Sequence, residues 1–148
     1  MRTVVQRVKS ASVDIEGKRV AEIEGGLLIF VGIKCGDTRA QIEWMADKIK
    51  KLRIFEDPEG KMNLSAQDLG KDYLVVSQFT LYGDCKKGTR PSFIQAAPPD
   101  EAIPLYEYFV ELMKQDGAVV GTGQFGADMQ VSLVNDGPVT MLLERDAQ

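Results

Sequence analysis

Apolar and polar positions first alternate along the chain with a two-residue rhythm. Residues 3–8 alternate β-branched and polar side chains and predict a strand. Residues 12–15 and 19–23 predict two more, flanking Glu16-Gly17-Lys18, whose glycine suits a hairpin turn. Residues 27–33 form a continuous apolar run after Gly25-Gly26, the pattern of a strand buried on both faces. The rhythm then becomes helical. Over residues 38–53, Ile42, Met45, Ala46, Ile49 and Leu52 fall on one stripe, and Asp37 or Thr38 can cap the start. Trp44 lies off that stripe and is read as packing within the chain.

Residues 73–79 predict another strand. Residues 100–114 predict a second helix, with Leu105, Tyr106, Phe109 and Met113 inward and Pro104 in its first turn. Residues 118–122, 129–134 and 139–144 read as strands, the last two linked by Asp136-Gly137-Pro138. No linker, repeat or low-complexity stretch interrupts the chain. Many strands, with two main helices grouped between them, argue for one α+β domain over residues 1–148.

Composition narrows the chemistry. The chain has no histidine, which excludes Ser-His-Asp and Cys-His catalysis and removes the commonest metal ligand. Two cysteines, Cys35 and Cys85, make neither a disulfide framework nor a metal spacing, so no metal and no cofactor are expected. Cys85 precedes Lys86-Lys87, which can lower a thiol pKa, but a free thiol near a loop accounts for it. No apolar run reaches the roughly 20 residues of a spanning helix, and charge breaks the first apolar stretch too early for a signal peptide. The expectation is a cytoplasmic protein without a membrane partner. A formal net charge of −4 requires any RNA contact to use local basic patches. One such patch, Lys48, Lys50, Lys51 and Arg53, also suits a helix C-terminus. The other, Lys86, Lys87 and Arg90, lies in a glycine-containing loop and is the preferred RNA contact.

Two segments put polar groups where an apolar run ends. In Ser77-Gln78-Phe79-Thr80 a strand alternates its side chains and then stops, so polar groups can converge on a ligand. Local bonding of hydroxyls to backbone is the plainer account of that segment alone. Asn135-Asp136-Gly137-Pro138-Val139-Thr140 centres on a Gly-Pro bond, for which sequence alone favours trans.

Together the segments, Ser-Gln-x-Thr at residues 77–80 and Asn-x-Gly-Pro-Val-Thr at residues 135–140, carry a resemblance to the D-aminoacyl-tRNA deacylases that extends along nearly the whole chain. The resemblance implies a β-barrel-like or layered sheet with both helices outside, and a homodimer whose active sites form at the subunit interface. It implies hydrolysis of the ester joining a D-amino acid to the 3′-terminal adenosine of tRNA, and of glycyl-tRNA mischarged on tRNA for alanine. Thr80, Ser77 and Gln78 are the catalytic candidates, acting mainly by orienting substrate, with Thr80 closest to a direct role. The resemblance implies a cis Gly137-Pro138 that enters the other subunit's site and rejects L-residues. Arg7 would brace that dipeptide. Asn135 and Thr140 would hold its loop, and Val139 follows the same motif. Phe79 or Phe93 would stack on the adenine. A non-catalytic tRNA- or nucleotide-binding module is the alternative, and the Gly-Pro motif separates the two, since a binder needs no chiral gate.

Overall fold

The computed structural model describes residues 1–147. The long strand β1 (Arg2–Ile15) organises the fold. Strand β2 (Lys18–Ile23) pairs antiparallel with its second half. The joining turn has Glu16 and Gly17 both at positive φ, 50° and 78°, as a tight hairpin requires. Strand β3 (Gly26–Gly32) pairs antiparallel with its first half. The other edge of β1 is covered over almost its whole length by β8 (Gln130–Glu144). Strands β6 (Asp72–Ser77) and β7 (Val120–Thr122) extend the sheet in parallel beyond β3.

The sheet curls into a nearly closed, barrel-like form, so β3 and β6 are buried on both faces as the apolar run predicts. Leu28, Leu74 and Val76 point inward to meet Val8, Val13 and Ile23. Leu27, Ile29, Tyr73 and Val75 point outward to the helices α1 (Arg39–Lys51) and α3 (Pro99–Lys114). Each such side chain, fully buried, contributes about 1.5–3 kcal/mol. Thr38 caps α1, with the Gln41 side-chain oxygen accepting its N–H at 2.7 Å. Trp44 packs against this core beneath the Arg145 guanidinium, 4.9 Å from the ring centroid. The architecture is the expected α+β one.

Four details differ from the sequence reading. Residues 3–8 and 12–15 belong to one strand, because Ser10 keeps pairing with Val134 across the irregularity. Residues 129–134 and 139–144 likewise belong to one strand, β8, and Asp136-Gly137-Pro138 is an excursion within it rather than a link. Pro104 lies inside α3, whose first turn starts at Pro99, so its ring removes a bond that an amide there would make to Asp100. A short hairpin, β4 (Phe55–Glu56) with β5 (Met62–Leu64), and a one-turn helix α2 (Ala66–Leu69) occupy the stretch left blank by periodicity.

The basic cluster at the end of α1 is consumed by structure. Buried Lys50 bonds to the Leu112 carbonyl and, at 2.9 Å, to Asp116; Lys51 pairs with Asp47 at 2.8 Å. Lys50, with Gln67, holds the Asp116 carboxyl below the usual carboxylate range. A depressed carboxyl stabilises the fold above its unfolded value, near pH 4, and that contribution disappears as pH falls through the folded value. Asp116→Asn should therefore lower Tm modestly at pH 7. The gap to the unaltered protein should close towards pH 3, as followed by thermal melts across pH.

Candidate active site

Strand β6 ends at Ser77, and the chain turns at once into a 3-10 turn (Phe79–Tyr82). The turn is tied down from three sides. Gln78 N–H donates to the Val31 carbonyl at 2.7 Å. Arg2 donates from Nη1 to the Leu81 carbonyl at 2.6 Å, and its guanidinium lies 4.7 Å above the Tyr82 ring centroid. Gly32 lets the turn come close, since a Cβ there would lie 3.0 Å from Leu81 and 3.2 Å from the Gln78 oxygen. On this fixed turn the exposed Thr80 hydroxyl accepts from Gln78 Nε2 at 3.0 Å. The N–H groups of Phe79 and Thr80 open the turn, where no carbonyl of the turn can accept them.

Ser77, Gln78, Phe79 and Thr80 form one wall of a pocket of about 170 Å³, and Phe125, Gly126, Ala127 and Met129 form the other. The second wall was not anticipated from the sequence. Its signal is a glycine-dense stretch, Gly121-Thr122-Gly123-Gln124-Phe125-Gly126, that carries a single aromatic between two strands. Tyr106 holds this wall. Its hydroxyl donates to the Val75 carbonyl at 2.9 Å, and its ring lies 6.0 Å from that of Phe125. Burial pushes the Tyr106 hydroxyl above its ordinary pKa, keeping it a neutral donor. Phe93 does not line the pocket but meets Phe79 from outside, ring centroids 5.2 Å apart.

The second motif lies elsewhere. Gln6 pairs with Thr140 and Val8 with Asn135, so Arg7 alone faces residues 136–139 of β8. Four residues opposite one must bulge outward. The bulge holds a cis Gly137-Pro138 bond, with both residues exposed. Asn135 closes it as a strand partner would: Oδ1 accepts the Val139 N–H at 2.7 Å, and Nδ2 donates to the Val139 carbonyl and Thr140 Oγ1, both at 3.1 Å. Arg7, only 5% exposed, donates from Nε to the Asp136 carbonyl at 2.8 Å and from Nη1 to the Ile54 carbonyl at 2.7 Å.

The two motifs do not meet within one chain. Arg7 pairs with Leu27, whereas Ser77 pairs with Val31. Four strand residues, roughly 13 Å, separate the positions. Lys86, Lys87 and Arg90 are exposed on the loop beyond the first motif. Among the described residues no cluster of His, Cys, Asp or Glu could hold a metal ion, and no helix is long and apolar enough to cross a membrane.

Comparison with known proteins supplies the context. The family model for D-Tyr-tRNA(Tyr) deacylase matches residues 4–144. A D-aminoacyl-tRNA deacylase of Thermotoga petrophila is 60% identical over 144 residues, covering 97% of each chain. That of Desulfotalea psychrophila is 58% identical over 146 residues, covering 99% of this chain and 98% of its own. A solved structure of a c-Myc DNA unwinding element binding protein superposes with TM-score 0.93 at 41% identity, covering 99% of this chain and 100% of its own.

Proposed function

We propose that this chain, which belongs to the D-Tyr-tRNA(Tyr) deacylase family, is an aminoacyl-tRNA ester hydrolase that frees tRNA of D-amino acids. Beyond the family, the reading is carried by the pocket at Thr80: a rigid turn with free backbone donors, facing an apolar wall. The terminal adenine lies against Phe79, Phe125 and Met129. The ester carbonyl then faces the N–H groups of Phe79 and Thr80, which stabilise its oxyanion as it becomes tetrahedral. Water adds to the carbonyl carbon, the acyl–oxygen bond breaks, and the products are a free amino acid and the ribose hydroxyl. With no histidine in the chain, the neighbouring ribose hydroxyl assists the attack, and the protein contributes orientation.

Ser77, Gln78 and Thr80 orient the substrate. Thr80→Val should keep activity within about tenfold, since it removes one hydrogen bond and no nucleophile. Single-turnover hydrolysis of D-tyrosyl-tRNA tests this, and a dead enzyme that still binds tRNA would make Thr80 chemically essential.

Selection of D-residues is assigned to the bulge, acting across a homodimer. Gly137 and Pro138 of the partner subunit would face the α-carbon of the bound amino acid, because the same dipeptide lies too far from the pocket in its own chain. A backbone wall there collides with an L side chain and leaves a D side chain free, and collision discriminates more firmly than a missing contact. Glycine offers nothing to reject, so a glycyl ester is accepted too. Arg7, Asn135 and Thr140 keep the wall fixed, and buried Val139 anchors its end.

A second reading, nucleic-acid binding without hydrolysis, draws on the solved relative described as a DNA unwinding element binding protein. Release of D-tyrosine from D-tyrosyl-tRNA by purified protein, above the protein-free rate, supports the esterase; binding without release supports the alternative.

A further inference from the structure

We propose that a track of aromatic and cationic residues outside the pocket binds the unpaired nucleotides preceding the terminal adenosine, an inference that rests on the esterase reading above. Three large apolar side chains are exposed together there: Phe79 at 55%, Phe93 at 39% and Ile94 at 85%. The two rings meet edge to face at 69°. Phe93 also lies over Gly83, where a Cβ would stand 3.0 Å from its Cε1. Its ring therefore spans from the pocket wall at Phe79 to a second hollow. That hollow, of about 330 Å³, is lined by Arg2, Tyr82, Asp84, Lys86 and Gln95 among others.

Charge identifies the occupant. Asp84 and Ser92 pair through both backbone N–H groups, at 2.8 and 2.9 Å, and close the base of the loop that carries Lys86, Lys87 and Arg90. Among the described residues none of these three cations forms an ion pair, unlike Lys50 and Lys51. Exposed rings beside unpaired cations, on a chain of net charge −4, fit single-stranded RNA, whose bases stack and whose phosphates seek the cations. The track runs from the pocket over Phe93 towards Lys86. Asp84 and Gln95 lie at its far end, where they offer acceptor and donor groups to a base edge.

The test compares D-tyrosyl-tRNA with D-tyrosyl-adenosine, which carries the same ester without the preceding nucleotides. Phe93→Ala should lower kcat/KM for the tRNA by about tenfold, the loss of one stacked base. It should cost the adenosine ester much less than the tRNA, since Phe93 touches the adenine wall only through Phe79, and Phe93→Tyr should restore the tRNA rate. Lys86→Glu with Lys87→Glu should flatten the salt dependence of tRNA binding. Equal losses on both esters, no loss on either, an unchanged salt slope, or a Phe93→Ala protein of altered oligomeric state would overturn the proposal. The last would make the patch a contact between copies. If the unaltered protein hydrolyses neither ester, the esterase reading falls and takes this inference with it.

Discussion

Gly137→Ala is expected to lower kcat/KM for D-aminoacyl-tRNA by roughly 100-fold, the scale of loss that a displacement of about 1 Å at a reacting group produces. The reason is local. Gly137 sits at φ +142°, a conformation that L side chains rarely adopt. An added Cβ would stand 2.7 Å from Val139 Cγ2 and 3.1 Å from Arg7 Nη2. Neither neighbour can move cheaply, since Val139 is buried and Arg7 is held by two carbonyls. The bulge must shift instead, and with it the surface assigned to the chiral gate. The rest of β8 pairs with β1 on both sides of the bulge, so the fold survives. Kinetics on D-tyrosyl-tRNA with a circular-dichroism control would check this. Unchanged kinetics would remove Gly137 from the site.

Arg7→Leu carries the largest expected cost in stability. The buried guanidinium joins the bulge to the segment after α1 by hydrogen bonds to Asp136 and Ile54, and its Nε lies 3.7 Å from the Asp136 carboxylate. Hydrogen bonds to a charged donor are worth about 1.5–3 kcal/mol each, and two carbonyls would lose their partner. A net loss of about 3 kcal/mol corresponds to a Tm lower by roughly 6–12 °C for a chain of this size. The loosened bulge should also admit L-residues, so hydrolysis of L-tyrosyl-tRNA should rise relative to the D-ester. Arg7→Lys should not restore either property, because an ammonium cannot span two carbonyls with a fixed fork. Differential scanning calorimetry and paired rate measurements report the two effects separately. A Tm within about 2 °C of the unaltered protein would contradict the bracing role.

Where structure is decided by neighbours along the chain, the sequence was readable. The stripe of Ile42, Met45, Ala46 and Ile49 became the buried face of α1, and the apolar run of β3 lies between two cores. The strand end at Ser77 was readable for the same reason, but the reading of Ser77 to Thr80 as a site came only with the second motif and the family resemblance. Long-range pairing was not readable. That residues 130–144 form one strand depends on β1, more than a hundred residues away, which carries the register past the bulge. Phe125 and Met129 reach the pocket only because Tyr106, on α3, and the parallel pairing of β7 with β6 fold their loop back. Nothing in their own segment points to Thr80. Arg7 was readable as a brace only through resemblance; its isolation opposite four residues of β8 is a property of the paired strands.

On the proposed reading this fold hydrolyses aminoacyl-tRNA and chooses by the hand of the α-carbon. The most direct test is hydrolysis of D-tyrosyl-tRNA beside L-tyrosyl-tRNA by the purified protein under identical conditions. Rapid loss of the D-ester with the L-ester intact is the predicted result. Equal rates for the two esters would contradict the gate, and no hydrolysis of either would contradict the esterase itself.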